Sequence, residues 1–394
     1  MVGQASQPSA HLLDITRLIN RAGLHPTGVD RVERAYLRHL ADHPTPFFAI
    51  ARTALGYVLL DRTGAASIAK AIASGDWGSP DMISRLNPRL DGPRKTGQSF
   101  LRRIAIARAT KSRLRRLITE NLPADFVYFN TGHSNLNQRM MQGVSGARKV
   151  VLLHDTIPLE YPQTQRAGAV QGFEDKLALV SRHADVVICT SAQCQADVIR
   201  HLSKLGPVPK TVLAHLGVDV PAIDTEFPQP QAPYFVTVGT IEPRKNHALL
   251  LDIWQAWGAD APPLYLCGKR GWRNDAVFAR LDQGVPNVIE ANDLSDGQIA
   301  ALVKGAAAML FPSQAEGFGL PPAEALALGC RVVCADLAVY GEVLGNSAVY
   351  VALSDRYLWE KTIKELAVSG GSGTKIQYAP PRWADHFKTV LSKI

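Results

Sequence analysis

The chain has 394 residues, 46% of them hydrophobic and 20% charged, an ordinary balance for a globular protein. That length exceeds one hydrophobic core and predicts two domains of about 200 residues. No apolar run reaches the roughly 18 residues a membrane-crossing helix requires, and the opening MVGQASQPSAHLLD lacks the features of a secretory signal. The net charge of +8 asks for an anionic partner. Five cysteines (Cys189, Cys194, Cys267, Cys330 and Cys334) stand in apolar contexts and read as reduced core residues of a cytosolic protein. Cys330 and Cys334 have no companion histidine or cysteine pair, so a zinc site is not expected.

Short β-like runs alternate with helix-length segments, which predicts parallel sheets with helices on both faces. The first-half strands are His11–Thr16, Pro46–Ala51, Tyr57–Asp61, Phe126–Asn130, Lys149–His154, Asp185–Thr190 and Lys210–Ala214. After the first strand, Thr27-Gly-Val-Asp-Arg31 precedes a helix over Val29–Leu40. Gly92 to Thr119 holds no acid but nine cations: Arg94, Lys95, Arg102, Arg103, Arg108, Lys111, Arg113, Arg115 and Arg116. Phe100, Ile104, Ala107, Leu114 and Ile118 recur there at helix-like spacing. This predicts a basic amphipathic helix, either lying on an anionic membrane surface or packed on the core with its charges solvated. No aromatic platform or motif supports nucleic acid as the partner. At strand ends, Asn130-Thr-Gly-His133 makes either an acceptor-facing loop or an ordinary exposed one. His154 opens His-Asp-Thr-Ile-Pro158, where Asp155 either touches a ligand or caps the turn.

Val220 to Pro233 carries prolines at 221, 228, 230 and 233 and reads as a linker. The predicted organisation is a first domain over 1–220 with linker 220–233, a second over 234–379, and a terminal helix in 380–394 marked by Trp383, Phe387, Val390 and Leu391. Second-half strands are Tyr234–Gly239, Leu264–Cys267, Asn287–Ala291, Ala307–Phe311, Arg331–Ala335 and Ala348–Ala352. Two such α/β halves on a proline-rich hinge suit a pair of Rossmann-like domains facing a cleft, with ligands beyond the carboxyl ends of the strands. Gly239-Thr-Ile-Glu-Pro-Arg-Lys-Asn-His247 sets Arg244 and Lys245 at a strand end, where adjacent cations suit a diphosphate leaving group. Gly268-Lys-Arg-Gly-Trp272 and Asn292-Asp-Leu-Ser295 follow the next two strands. Finally FPSQAEGFGLPPAEALAL, residues 311–328, turns from a strand into a helix near Pro321–Pro322, with Glu316 and Glu324 eight positions apart. Its glycines let backbone amides approach a ligand beside a helix N-terminus, a cradle for a phosphorylated, hydroxyl-rich molecule.

EGFGLPPAEA resembles the Glu-x7-Glu motif of family 4 retaining glycosyltransferases of the GT-B fold. GTIEPRKNH, GKRGW and VLLHDTIP resemble segments of the same family, densely from about His154 to Val351. The resemblance implies that Glu316 and His154 contact the donor sugar, that Glu324 holds the nucleotide ribose, and that amides of Phe318, Gly319 and Leu320 face sugar and phosphate. It places Gly28 in a glycine loop beside the donor phosphates or the acceptor. Thr240 stands where some relatives carry Arg. Lys269 falls near the donor, and the backbone at Asn292 and Leu294 near the base. Arg31, His133 and Asp155 are acceptor-side candidates. The terminal helix is expected to return to the first domain.

The implied reaction moves a sugar from a nucleoside diphosphate, with retention and with neither metal nor other cofactor. GDP-mannose is the first choice of donor and UDP-sugars the second. The acceptor would be a glycan or a lipid-diphosphate-linked glycan of bacterial surface polysaccharide, met by a cytoplasmic enzyme peripheral on the inner membrane. A nucleotide-sugar epimerase of the same fold, a phosphorylase-like enzyme and a non-catalytic nucleotide-sugar-binding protein are the rivals.

Overall fold

A computed structural model describes residues 8–369 and 376–394. The first domain contains β1 (Ala10–Asp14), β2 (Phe47–Thr53), β3 (Gly56–Leu60), β4 (Ala107–Ala109), β5 (Phe126–Asn130), β6 (Arg148–Leu153), β7 (Val186–Cys189) and β8 (Lys210–Leu213). They form one sheet in the order β4-β3-β2-β1-β5-β6-β7-β8. The second domain contains β9 (Phe235–Val238), β10 (Leu264–Cys267), β11 (Val288–Glu290), β12 (Ala308–Phe311), β13 (Val332–Ala335) and β14 (Val349–Val351), ordered β11-β10-β9-β12-β13-β14. Central strands such as β1 and β5 are buried along their whole length, as parallel strands covered on both faces must be. The five cysteines are buried and free.

The expectation of wholly parallel sheets fails at one edge. β2 pairs antiparallel with β3, and β3 with β4. Only Ala54 and Leu55 join β2 to β3, which allows a hairpin and not a crossover.

The single basic helix expected over 92–119 is also corrected. A helix over Gly92–Ile104 ends, β4 follows, and a second helix runs over Leu114–Asn121. Phe100 and Ile104 pack on the core that holds Leu13, Ala49 and Leu60. Leu114, Leu117 and Ile118 pack on the core that holds Leu12, Ile50 and Leu59. Neighbouring strand residues point to opposite faces, so these helices cover opposite sides of the sheet. No single helix can do that, and β4 carries the chain across the edge.

Between Leu213 and Phe235 no helix or strand forms, and this segment links the domains. The helix Trp383–Leu391 lies against the first domain. Its His386 bonds the Tyr36 hydroxyl at 2.8 Å, and Phe387 stacks on His39 at 3.7 Å.

Candidate functional site

The carboxyl ends of both sheets meet across the cleft. After β12 the chain turns through Gly319, at φ +90°, into the helix Leu320–Ala327 with prolines in its first turn. A Cβ on Gly319 would lie 2.7 Å from the Tyr340 ring. At Gly317 it would lie 2.2 Å from the His154 carbonyl oxygen, so this loop of the second domain touches the end of β6. Thr190 and Ser191, after β7, each donate to the Gly317 carbonyl at 3.0 Å.

This anchoring sets Glu316 among cations of its own domain. Arg244 donates to Glu316 Oε1 at 2.6 Å and Lys245 at 2.7 Å. Arg244 also reaches Glu242 at 2.6 Å and the Ala315 carbonyl at 2.7 Å. Lys245 lies over the Phe311 ring at 4.3 Å. Burial alone would push the Glu316 carboxyl up, but Arg244 and Lys245 hold it down to about 2. Burial draws Lys245 below its ordinary value against the pull of Glu316. Asp155 shares a cavity of about 210 Å³ with Glu316 and Gly317. Its Oδ1 accepts from the Ile157 amide at 3.0 Å, so it caps the turn, and burial raises its carboxyl.

A second group forms where two helix N-termini approach. Gly28 opens the helix Gly28–Asp42, whose Thr27 and Asp30 make a capping box. A Cβ on Gly28 would lie 3.7 Å from Leu320, across the cleft. Arg31, an acceptor-side candidate in the sequence, reaches Glu324 at 2.5 Å and Asp296 at 3.4 Å. Burial raises the Glu324 carboxyl despite Arg31. These contacts join the domains.

His133 is half-buried. Its ring bonds the Leu152 carbonyl at 2.6 Å, and the His154 ring bonds the Thr131 carbonyl at 2.7 Å, with ring centroids 5.5 Å apart. Burial lowers His133 to about 3 and His154 to about 4, so both are neutral at physiological pH. His133 braces the ends of β5 and β6.

The remaining candidates sit at strand ends of the second domain. Thr240 follows β9, and its Cγ2 would lie 2.6 Å from a Cβ on Gly271. Lys269 is exposed after β10, and its carbonyl accepts from the Ile241 amide at 3.0 Å. Nearby, Trp272 donates to the Thr164 carbonyl at 3.0 Å, a third contact between domains. Asn292 has a buried Oδ1 with no protein partner, and Leu294 packs on the core. The Phe318 ring is core as well, so only its backbone can meet a ligand.

Sequence reasoning assigned no role to Glu242 or Glu33, and offered Ser295 or Asp296 as a helix cap, which Ser295 is. Glu33 is buried with neither carboxylate oxygen bonded, and its oxygens lie against Gly132. Burial raises it well above the usual carboxylate range. Among the described residues no group of three or more His, Cys, Asp and Glu side chains is gathered as for a metal ion.

Residues 222–367, the second domain with its linker, match the family model described as Glycosyl transferases group 1. The serotype-specific mannosyltransferase WbdA of Escherichia coli is 33% identical over 230 residues, which cover 52% of this chain and 28% of the relative. The O-antigen chain mannosyltransferase RfbU of Salmonella typhimurium is 30% identical over 134 residues, or 34% of this chain and 38% of the relative. The chain thus spans less than half the length of the curated relatives it matches. Among solved structures, Anabaena Alr3699/HepE in complex with UDP-glucose is similar over 98% of this chain and 94% of its own, with TM-score 0.60 and 14% identity. The Escherichia coli trehalose-6-phosphate structure bound with UDP-2-fluoro glucose has TM-score 0.56 at 12% identity, over 98% of this chain and 96% of its own. At these identities the likeness shows the fold, which is GT-B.

Proposed function

We propose that the chain is a family 4 glycosyltransferase that moves a sugar, with retention, from a nucleoside diphosphate to an acceptor hydroxyl in surface-polysaccharide synthesis. The observation that carries this is Glu316 in the cleft, bonded by Arg244 and Lys245. A diphosphate entering between the Gly28 and Leu320 helix ends meets both cations and the positive ends of two helices. It shares the cations with Glu316, whose second oxygen is assigned to a donor-sugar hydroxyl. His154, neutral, offers a hydrogen bond and no charge. Glu324, released from Arg31, takes the ribose.

As the bond from the anomeric carbon to phosphate breaks, negative charge grows on the leaving group and the two cations stabilise it. The acceptor oxygen bonds the same face, and its proton passes to the departing phosphate. Mannose from GDP-mannose is the donor we favour, supported by the mannosyltransferases among the relatives. The acceptor is a glycan, carried on a lipid diphosphate or free, and the enzyme is cytoplasmic and peripheral on the inner membrane. No helix among the described residues is long and apolar enough to cross one.

Thermal shift with GDP and UDP tests the site, because a ligand of the native state raises apparent stability. A shift with either, followed by sugar transfer from the matching donor in a strong chelator, is the expected result. Epimerisation or hydrolysis without transfer would replace this reading. Loss of activity in chelator, restored by a divalent metal, would end its metal-free part.

A further inference from the structure

The basic segment divides into cations that hold the fold and cations that do not. Arg102 is buried and donates to both oxygens of Asp81, at 2.7 and 2.6 Å, and to Ser84. Arg103 donates to the carbonyls of Trp77 and Ser79 at 3.0 and 3.1 Å. Together they clamp the segment 77–84 onto the helix Gly92–Ile104. Asp81 also caps the one-turn helix Met82–Arg85.

The object so firmly held has an apolar tip. Met82 is 74% exposed, Ile83 54% and Leu86 78%. Single exposed apolar residues are normal, but three within five positions on a braced turn form a patch. Arg85, Arg89 and Arg94, all exposed, lie in the same stretch of chain. Of the acids of the segment, Asp81 pairs with Arg102, while Asp91 caps the next helix and also lies 3.8 Å from the Arg94 guanidinium.

The first turns of that next helix lie at the cleft edge of the sheet. A Cβ on Gly97 would lie 2.5 Å from the Ile19 carbonyl, and Gln98 accepts from the Ala54 amide in the β2–β3 turn. β4 returns to the same edge, which places exposed Lys111, Arg113 and Arg115 there too.

We propose that Met82, Ile83 and Leu86, with the exposed Arg85, Arg89 and Arg94 near them in the chain, dock the first domain on an anionic lipid bilayer. Apolar side chains enter the headgroup boundary while cations meet lipid phosphates, the two attractions that hold a protein on an interface. A second copy of this chain fits less well, because a two-fold contact would set the same arginines against each other. The purpose rests on the transferase reading, since docking would hold the first domain beside a lipid-linked acceptor. The binding itself does not, and it is measured without donor.

The test is flotation with vesicles of phosphatidylcholine alone or mixed with phosphatidylglycerol. The protein should float with the mixed vesicles at low salt, not with the neutral ones, and be released as salt rises. Replacing Met82, Ile83 and Leu86 with Ser, or Arg85, Arg89 and Arg94 with Gln, should lower the bound fraction at least about tenfold. Both variants should melt where the parent does, since these side chains are exposed. Three outcomes overturn the proposal: no flotation with mixed vesicles at low salt, flotation unchanged in both variants, or a dimer that the Ser variant dissociates without any vesicle binding.

Discussion

Glu316 and Glu324 belong to one loop-to-helix turn and are nearly equally covered, their side chains 11% and 14% exposed. Their ionisation nevertheless moves in opposite directions. Glu316 meets two cations supplied by its own domain and is held down to about 2. Burial raises Glu324, which meets one cation, lent by the other domain, and feels Asp296 and Asp219 besides. Burial alone therefore does not set the charge of a carboxylate; the number and origin of its cations do. The first glutamate stays charged wherever the domains stand. The second depends on their closure.

The sharpest break of this contrast is Glu316→Gln. If Glu316 serves the sugar, turnover falls about 10²- to 10³-fold, as when a transition-state contact of about 3–4 kcal/mol is lost. GDP or UDP affinity should stay close to the parent's, and an equal loss of nucleotide affinity would reassign the residue to ribose or phosphate.

Acid stability isolates the electrostatic half of the same residue. A carboxylate depressed from 4.5 to about 2 contributes stability above the unfolded value, lost as pH falls through that window. The contribution is on the order of 3 kcal/mol, from 1.36 kcal/mol per pKa unit. Urea melts at pH 6 and pH 3 should show the parent losing more than Glu316→Gln. Parallel losses would mean that Glu316 is not the acid-sensitive group.

Third come the cations. Arg244→Ala and Lys245→Ala should each weaken nucleoside diphosphate binding by about 1.5–3 kcal/mol and leave nucleoside binding unchanged. Arg244→Ala should also lower the melting temperature more, because Glu242 loses its partner as well. Calorimetry with UDP and GDP decides it, and parental affinity in both variants would remove the phosphate site.

The smallest effect belongs to Arg31→Met. With its cation gone, Glu324 should protonate more readily. Diphosphate affinity should then fall more steeply with falling pH in the variant than in the parent. Identical profiles in variant and parent would show that Glu324 does not meet the ribose.

Much of this was readable beforehand where the constraint is local. Gly319 and the two prolines after it mark the turn into a helix, since only glycine fits beside Tyr340. The apolar runs placed the thirteen predicted strands to within two residues at either end. β4 escaped because Ala-Arg-Ala carries no strand signature and is recruited by the free edge of β3. The helical spacing of Phe100 through Ile118 misled, because those residues serve opposite faces of one sheet. Arg31 and Glu324 stand 293 positions apart, and no spacing rule reaches that far. The His133 ring likewise bonds a carbonyl 19 residues away.

The returning helix also fixes how the halves can move. The chain passes between domains twice, and the two passages lie side by side. The Val218 amide donates to the Pro381 carbonyl at 2.9 Å, and a Cβ on Gly217 would lie 2.3 Å from Trp383. One covalent strand would be a swivel, free to turn about several axes. Two strands laced together would resist sliding more than rotation about a line through the lacing. Any opening about that line would part Arg31 from Glu324 and Trp272 from Thr164 together.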